Sequence, residues 1–215
     1  MTKVLYIICE GETEEAFAKE VLKHHFALKD IHIKPINLGG LGNQYPKLVK
    51  AITAAVDGSK DAYVTTMTDL CDTGDTFPGF AESGSYKGAQ RGEFMESALS
   101  DSIKKLRPNA RFIPYYQCYE FEALLFADTN ILFEKLKPKG LKLASIEKIV
   151  KACGSPEEIN SGSTTSPSER IVSLLGNNRY SKNIDGLIVA KAIALEKMRK
   201  ECPHFDSWIS KLEEI

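Results

Sequence analysis

The sequence predicts an α/β fold, in which a mostly parallel sheet is flanked by helices and followed by a helical C-terminal part. Apolar segments that are typical of buried strands occur at residues 4–9, 31–36 and 62–68. Two segments with helical spacing of apolar residues separate them. The resulting order, β-α-β-α-β, favours parallel strands joined by helical crossovers.

The first strand, Val4–Cys9, leads into a predicted helix from Thr13 to about Phe26, with Phe17 and Val21 on its inner face. Isoleucines at 31, 33 and 36 indicate the second strand, and a glycine-rich loop follows it. Apolar residues at three- and four-residue spacing, from Leu48 to Val56, then predict a second helix. The third strand, Ala62–Thr68, is rich in β-branched residues.

The chain from Leu70 to about Gly92 is rich in glycine and is predicted to be a long loop, which in a compact domain is often a functional loop or lid. Glu93–Leu106 is predicted to be helical, and Arg111–Gln117 to be a fourth strand. Beyond Asp128 the pattern is helical, with the strongest helices at residues 186–200 and 205–213. We therefore expect an α/β core over residues 1–128 and a helical extension over residues 129–215, packed on that core.

Composition excludes several classes of protein. The 215 residues are 43% hydrophobic and 27% charged, which fits a globular domain. The net charge of −1 does not indicate a nucleic-acid binder. No apolar run approaches the roughly 18 residues of a membrane span, and no signal peptide precedes the first strand. Five scattered cysteines and four histidines lack the local spacing of a zinc site. We expect a reduced cytoplasmic protein without membrane association or structural zinc.

Two acids follow two predicted strands at the point where each strand ends. Glu10 comes directly after the first strand, and Asp69 after the third. In open α/β sheets such positions face the crevice where ligands bind. Two carboxylates about 4 Å apart repel by roughly 4 kcal/mol at an effective dielectric near 20, and a bound Mg²⁺ or Mn²⁺ reverses that sign. Since no Lys or Arg is adjacent in sequence, the pair predicts a divalent-metal site with Glu10 and Asp69 as catalytic residues.

Three further acids are candidate ligands of the same ion. Asp72 lies just beyond Asp69, where an aspartate also suits a turn. Glu120 and Glu122 follow the fourth strand within an apolar segment. If that segment is extended, both side chains share one face, whereas in a helix they diverge and at most one can serve. Glu120 is favoured slightly because it lies nearer the strand end.

A local cluster of lysines has two interpretations. Lys135, Lys137, Lys139 and Lys142 lie close together in the sequence. The plainer interpretation is a solvated helix face and loop. The alternative is a patch that contacts phosphate groups, since backbone binding of nucleic acids needs local positive charge rather than a high overall charge.

The motifs together resemble an uncharacterised bacterial family with a Toprim-like (topoisomerase–primase), Rossmann-like fold. The resemblance is carried by Glu-Gly-Glu-Thr-Glu at residues 10–14, the strand ending at Asp69, Phe-Pro-Gly at 77–79 and Tyr-Glu-Phe-Glu-Ala-Leu-Leu-Phe at 119–126. It continues through Pro-Glu-Glu-Ile-Asn at 156–160, Ser-Pro-Ser-Glu-Arg at 166–170 and Cys-Pro-His-Phe-Asp-Ser-Trp at 202–208. It therefore covers nearly the whole chain.

The resemblance implies an activity and a genetic setting. Members of the family look like companions of ATPases in antiphage or mobile-element defence loci, and Toprim proteins use Mg²⁺ in phosphodiester chemistry. Carried over, Glu10 is a metal ligand or acid/base group, and Asp69 is a metal ligand. Toprim domains usually have Asp-x-Asp after the third strand, whereas this chain has Asp69-x-x-Asp72. Either Glu120 or Glu122 then completes the site, or catalysis is lost.

Three functions are consistent with the sequence. The first is a metal-dependent phosphodiesterase, of nuclease type, that acts on DNA or RNA and serves as the effector of an ATPase-coupled defence system. The second is a non-catalytic interaction module for a partner ATPase, supported by the neutral charge and by aromatic residues near Phe205 and Trp208 that we expect to be exposed. The third is a small-molecule enzyme for a phosphorylated nucleotide. The oligomeric state, including a homo-oligomer, is left open.

Overall fold

One parallel sheet organises the molecule. The computed structural model describes residues 2–59, 61–159, 165–176 and 179–215. Its strands are β1 (Lys3–Cys9), β2 (Ile31–Asn37), β3 (Tyr63–Asp69), β4 (Phe112–Ile113) and β5 (Tyr116–Gln117). They lie in the order β2-β1-β3-β4, with β5 also paired to β3, and every pairing is parallel. The predicted α/β fold with a mostly parallel sheet is confirmed.

Helices account for most of the remaining structure. The α-helices are α1 (Glu12–Phe17), α2 (Lys23–Ala27), α3 (Tyr45–Gly58), α4 (Gly88–Leu106), α5 (Thr129–Leu136), α6 (Leu143–Cys153), α7 (Pro167–Leu175), α8 (Leu187–Ala192), α9 (Leu195–Glu201) and α10 (Pro203–Glu213). Short π-helical segments occur at Ala18–Leu22, between α1 and α2, and at Lys182–Gly186, before α8. Short 3₁₀-helices occur at Leu70–Asp72, Glu82–Ser85, Phe121–Ala127, Lys137–Lys139 and Pro156–Glu158. Across the described ranges, none of the helices has the length and apolar character needed to cross a membrane.

Each face of the sheet carries its own apolar core. Leu5 and Ile7 of β1 point to one face, where they join residues from α1 and the C-terminal helices. Ile8 points to the other face and packs with Ile52 of α3 and Leu99 of α4. Successive side chains of a strand alternate between faces, so a strand buried on both sides must be apolar almost throughout. This explains why Val4–Cys9 is a continuous apolar run.

The larger core joins the two predicted parts of the chain. Phe17 of α1 packs edge-on against Phe121, with ring centroids 5.4 Å apart, and against Phe205 of α10, at 6.3 Å. The same apolar cluster runs from Leu5 to Ile215. The boundary at residue 128 stays a prediction, and the described C-terminal helices pack directly on the α/β core.

Helix α4 begins at Gly88 rather than at the predicted Glu93. Sequence alone assigned Gly88 and Gly92 to a loop because glycine weakens helices. Here both glycines allow close packing, since a Cβ on Gly88 would lie 2.3 Å from the Glu158 carboxylate and one on Gly92 would lie 3.0 Å from the His204 ring. The predicted loop is consequently shorter, and its Phe77 is buried in the core.

The predicted fourth strand is divided into β4 and β5 around Pro114 and Tyr115. Proline lacks an amide hydrogen, so it cannot donate to a strand ladder. The Thr66 hydroxyl takes the place of the backbone hydrogen bonds between strands at this point. It accepts from the Tyr115 amide at 2.8 Å and donates to the Tyr115 carbonyl at 2.7 Å. The predicted helix at 186–200 is likewise divided, into α8 and α9, at the buried, extended Ile193.

The C-terminal aromatic residues are buried, so the expectation that they are exposed is wrong. Phe205 and Trp208 lie on the inner face of α10. The Trp208 ring stacks on Tyr115 with centroids 4.3 Å apart and an interplanar angle of 10°. Its indole N–H donates to the Thr65 hydroxyl of β3 at 2.8 Å. Trp208 therefore anchors α10 to the sheet.

We predict that Trp208→Phe lowers the free energy of unfolding by about 1–3 kcal/mol, because a buried hydroxyl then loses its donor. The Thr65→Val/Trp208→Phe double variant removes both polar partners, so it should be closer to wild type than the sum of the single changes. Denaturant unfolding of the four proteins measures this coupling. Full additivity of the two changes would contradict the structural role given to this contact.

Candidate metal centre at the carboxyl ends of the strands

Glu10 and Asp69 lie side by side at the carboxyl end of the sheet. The Glu10 amide donates to the Met67 carbonyl of the neighbouring strand at 3.1 Å. The Glu10 carboxylate in turn accepts from the Asp69 amide at 2.8 Å. Both side chains are about 8% exposed. The parallel register of β1 and β3 thus brings together two acids that are 59 residues apart in sequence.

Glu14 is a third acid at this place, and sequence reasoning assigned it only to the helix dipole. Its carboxylate accepts from the Gly11 amide at 2.9 Å and so caps the start of α1. The side chain is buried, and it faces the pocket beside Glu10 and Asp69. The pattern Glu-Gly-x-x-Glu at residues 10–14 could have predicted this position. A glutamate that caps the helix directly after β1 lies at the edge of the sheet where β1 ends, beside Glu10.

The remaining candidate acids take different positions around the pocket. Asp72 follows Asp69 in a 3₁₀ turn and lines the same pocket as Glu10, whose pKa it helps to raise. Glu120 also lines the pocket, and its carboxylate accepts from the Ser168 amide of α7 at 2.9 Å. The pocket has a volume of about 220 Å³. Four of the five predicted site acids, Glu10, Asp69, Asp72 and Glu120, therefore line one cavity.

Glu122 does not line the cavity with the others. Glu120 is extended, whereas Phe121–Ala127 forms a 3₁₀-helix, so the two glutamates diverge as expected for a helical segment. The Glu122 carboxylate is 1% exposed and accepts from the Tyr180 hydroxyl at 3.3 Å. Its other oxygen lies 3.3 Å from Lys182 Nζ. A role of Glu122 as a direct metal ligand stays a prediction.

Lys182 is the site residue that sequence reasoning missed. It belongs to the π-helical segment before α8 and lines the same cavity as Glu10 and Asp69. Burial opposes its charge, but Glu122 and Glu120 raise the pKa of Lys182 above its ordinary value, so the ammonium group is retained. We expected an acid cluster without a nearby lysine. No lysine is adjacent to these acids in the sequence, but Lys182 lies beside them in the folded structure, so the expectation is wrong. Nothing in the pattern around residue 182 indicates this contact.

Asn183, the next residue, closes the same side of the cavity. Its side chain accepts from the Thr13 hydroxyl at 2.8 Å and donates to Glu12 at 2.6 Å. Asp185 fixes the segment, because its carboxylate accepts from the Ser181 amide at 2.8 Å and pairs with Lys139 at 2.6 Å. Lys139 of the predicted basic patch is thus an ion-pair partner that supports the site.

Burial and crowding raise the pKa values of the acids in this cavity. Burial, followed by the hydrogen bond to Asp72, raises the pKa of Glu10 to about 9. Burial and the charges of Glu14 and Glu10 raise the pKa of Asp69 well above its ordinary value. Burial also raises the pKa of Glu14. Like charges that share a buried site cannot all ionise unless a cation joins them.

The donor set fits a divalent hard cation with open coordination positions. Asp69 Oδ1 is buried and has no hydrogen-bond partner among the described residues. The same ranges hold no closed cage of three carboxylates around one point. Mg²⁺ commonly uses one or two carboxylates and keeps several waters, so an open arrangement of Asp69, Asp72 and Glu10 suits it.

Comparison with known proteins gives the family and little about the activity. The model of the family described as "Domain of unknown function (DUF4276)" matches residues 9–213. A search of curated proteins finds no match. Among solved structures, the chain is similar to the C-terminal region of the Burkholderia pseudomallei OLD protein, at 14% identity and a TM-score of 0.49, with 97% and 98% of the two chains covered.

A second similar structure is the C-terminal region of the Xanthomonas campestris pv. campestris OLD protein, phased with platinum, at 15% identity and a TM-score of 0.43, with 99% and 97% of the two chains covered. At these identities and scores, neither likeness carries an argument about mechanism. The match of the family model does extend over nearly the whole chain, and by that match the protein belongs to the DUF4276 family.

We predict that the metal-free protein loses stability as pH rises from about 4.5 towards about 9, the ordinary and folded pKa values of Glu10. The folded state binds the extra proton in this window, so its stability falls by up to about 1.4 kcal/mol per pH unit per proton. Glu10→Gln removes this group and should flatten the profile. Denaturant unfolding in a chelator, at several pH values, measures it.

The exposed Glu134→Gln variant on α5 is the matched control, since it makes the same chemical change far from the pocket and should keep the wild-type slope. A pH profile of Glu10→Gln that follows wild type would show that Glu10 does not hold the proton.

Proposed function

We propose that this protein is a metal-dependent phosphodiesterase of nuclease type that acts on nucleic acid. The observation that carries the proposal is the juxtaposition of buried acids, one with an unpartnered oxygen, and a lysine in one cavity at the carboxyl ends of parallel strands. Such an arrangement offers oxygen ligands for Mg²⁺ or Mn²⁺ and a positive charge for a phosphate group.

Glu10, Asp69 and Asp72 are the proposed metal ligands, and Glu120 lines the same cavity. A bound Mg²⁺ or Mn²⁺ supplies Lewis-acid polarisation of a phosphate oxygen and a water of lowered pKa. Asp69 suits the role of ligand because its Oδ1 has no other partner in the described structure. The backbone hydrogen bond from Asp69 to Glu10 holds the two carboxylates in a fixed relation.

Glu10 is proposed to move a proton. Burial raises the pKa of its carboxyl group above the ordinary value, which suits a group that has to hold a proton and then release it. Lys182 is proposed to stabilise the charge that develops on the phosphate group. Glu122, buried behind it, orients the ammonium group towards the cavity.

Nucleic acid is proposed as the substrate from the resemblance of the motifs rather than from the overall charge of the chain. The chain has a net charge of −1, and Lys139 of the basic patch is ion-paired to Asp185. Lys137 and Lys142 are exposed and available to a phosphate backbone, whereas Lys135 pairs with Glu134 at 3.7 Å. A companion ATPase in a defence locus is part of the same proposal and rests on the resemblance of the motifs alone.

We predict that Glu10→Gln lowers Mn²⁺-dependent cleavage by about 10²–10⁴-fold, the usual effect of removing a positioned acid–base group. Asp69→Asn should also lose Mn²⁺-dependent cleavage, because it removes a charged ligand of the ion. The assay offers wild type and variants single- and double-stranded DNA, RNA, and free nucleotides, with Mn²⁺ or with chelator. Lys182→Met should also lose activity, by about 10²–10³-fold, as when one charge-stabilising donor is removed.

Two controls make the assay decisive. Glu134→Gln and Lys191→Met change exposed groups outside the cavity and should cleave as wild type. Cleavage by Glu10→Gln and Asp69→Asn at the wild-type rate would contradict the proposed mechanism. Cleavage of free nucleotides without polymers would identify a small-molecule enzyme. Metal binding without any cleavage would favour the interaction module for an ATPase, although burial of Phe205 and Trp208 has removed one of its supports.

A further inference from the structure

A second group of metal-ligating side chains lies inside the protein, and none of them lines the acid cavity. Cys118 follows β5, Glu157 belongs to the 3₁₀-helix Pro156–Glu158, and His204 is in the first turn of α10. Their side chains are 0%, 2% and 5% exposed. One ligand atom from each lies within 4.8 Å of the other two. The proposed phosphodiesterase mechanism uses none of the three.

The donor atoms are those that zinc-type ions prefer. Cys118 Sγ lies 3.3 Å from His204 Nδ1. In a tetrahedral zinc site with Zn–S near 2.3 Å and Zn–N near 2.0–2.1 Å, ligand atoms lie about 3.3–3.8 Å from one another. The three atoms therefore need only small movements to share one ion. Thiolate, imidazole and carboxylate form a softer set than the all-oxygen set of the acid cavity.

The opposite side of the histidine ring has the partner that metal-binding histidines usually have. His204 Nε2 lies 2.9 Å from the Glu96 carboxylate of α4, and the same carboxylate accepts from the Tyr116 amide at 2.9 Å. A carboxylate this close to Nε2 favours a proton on that nitrogen, an arrangement that would leave the lone pair of Nδ1 available to an ion. The Tyr115 ring stacks on the imidazole at 5.1 Å and fixes its plane.

The composition of this group also suits a cation. Two glutamates, Glu96 and Glu157, and the Cys118 thiol surround a single imidazole, and all of these side chains are buried. Glu157 is held by the amides of His204 and Phe205, each at 2.9 Å, and every carboxylate oxygen keeps a free lone pair. Glu96 also borders a surface cleft.

We propose that Cys118, Glu157 and His204 bind a zinc-type divalent transition-metal ion. Binding replaces the Cys118 thiol proton, which passes to solvent, and forms one S–metal, one N–metal and one O–metal bond without any change of oxidation state. The ion links Cys118, at the end of β5, to His204, at the start of α10. Cys118 lies two residues before Glu120 in the sequence. Local sequence spacing argued against zinc because these ligands lie 39 and 47 residues apart and meet only in the fold.

The competing account is a network of hydrogen bonds alone, in which the Cys118 thiol donates to His204 and Glu157 caps α10. Cobalt separates the two accounts, because Co²⁺ bound to a thiolate gives a sulfur-to-metal charge-transfer absorption that carboxylates and imidazoles do not give. Cys71 must be removed first, since it is exposed beside the acid cavity and offers a second thiol there. The starting protein is therefore the full chain with Cys71→Ser.

We predict a saturable charge-transfer band when Co²⁺ is titrated into Cys71→Ser, with displacement of Co²⁺ by Zn²⁺. The band should persist in Cys71→Ser/Asp69→Asn, which alters the acid cavity, and should be lost in Cys71→Ser/Cys118→Ser. Glu96→Gln in the same background should weaken Co²⁺ binding by about 10–100-fold, as expected for a residue that positions a ligand. The absence of any band in Cys71→Ser would overturn the proposal.

A variant that fails to fold does not prevent the test. X-ray absorption of Co²⁺ bound to Cys71→Ser needs no change in the core, and a sulfur neighbour together with nitrogen or oxygen neighbours is the expected result. Proton release, measured by calorimetry in two buffers, should accompany binding. Coordination by oxygen and nitrogen alone would contradict the proposed site, even if Co²⁺ binds elsewhere.

Discussion

The hydrogen bond between the Asp69 amide and the Glu10 carboxylate is the contact on which the candidate site depends. It exists because β1 and β3 are adjacent and parallel, so that their carboxyl ends, and the acids that follow, arrive at one edge of the sheet. Burial then makes ionisation of both acids unfavourable, and their pKa values rise. A divalent cation relieves this repulsion, so the same geometry that is costly without an ion becomes a binding site with one.

The C-terminal helices complete this site and also cover the sheet. Ser168 donates to Glu120, Lys182 pairs with Glu122, and Asn183 bridges Thr13 and Glu12. Trp208 and Phe205 anchor α10 in the core beneath. The described segments beyond residue 128 therefore supply both packing and charge, and the site combines both parts of the chain. The inferred Cys118–Glu157–His204 site lies at the same junction, between β5 and α10.

The sequence predicted local features well and contacts between distant segments poorly. Apolar runs and helical spacing gave the parallel sheet, because strands buried on both faces must be apolar. The predicted strand ends identified Glu10 and Asp69 as site residues, because the position of an acid directly after a strand can be seen in the local sequence. Lys182 was missed because its approach to Glu122 depends on how a π-helical segment packs, which no local pattern encodes. Burial of Trp208 was misjudged for the same reason, since its partner Thr65 lies in β3.

The central claim is that Glu10 and Asp69 belong to one divalent-metal site. Calorimetric titration of Mn²⁺ into wild type, Glu10→Gln, Asp69→Asn and the control Glu134→Gln tests it most directly. We expect saturable binding by wild type and by the control, with affinity that increases as pH rises because protons on the acids compete with the ion. Binding should be lost in both acid variants. Absence of binding by wild type, or wild-type affinity in either acid variant, would contradict the account.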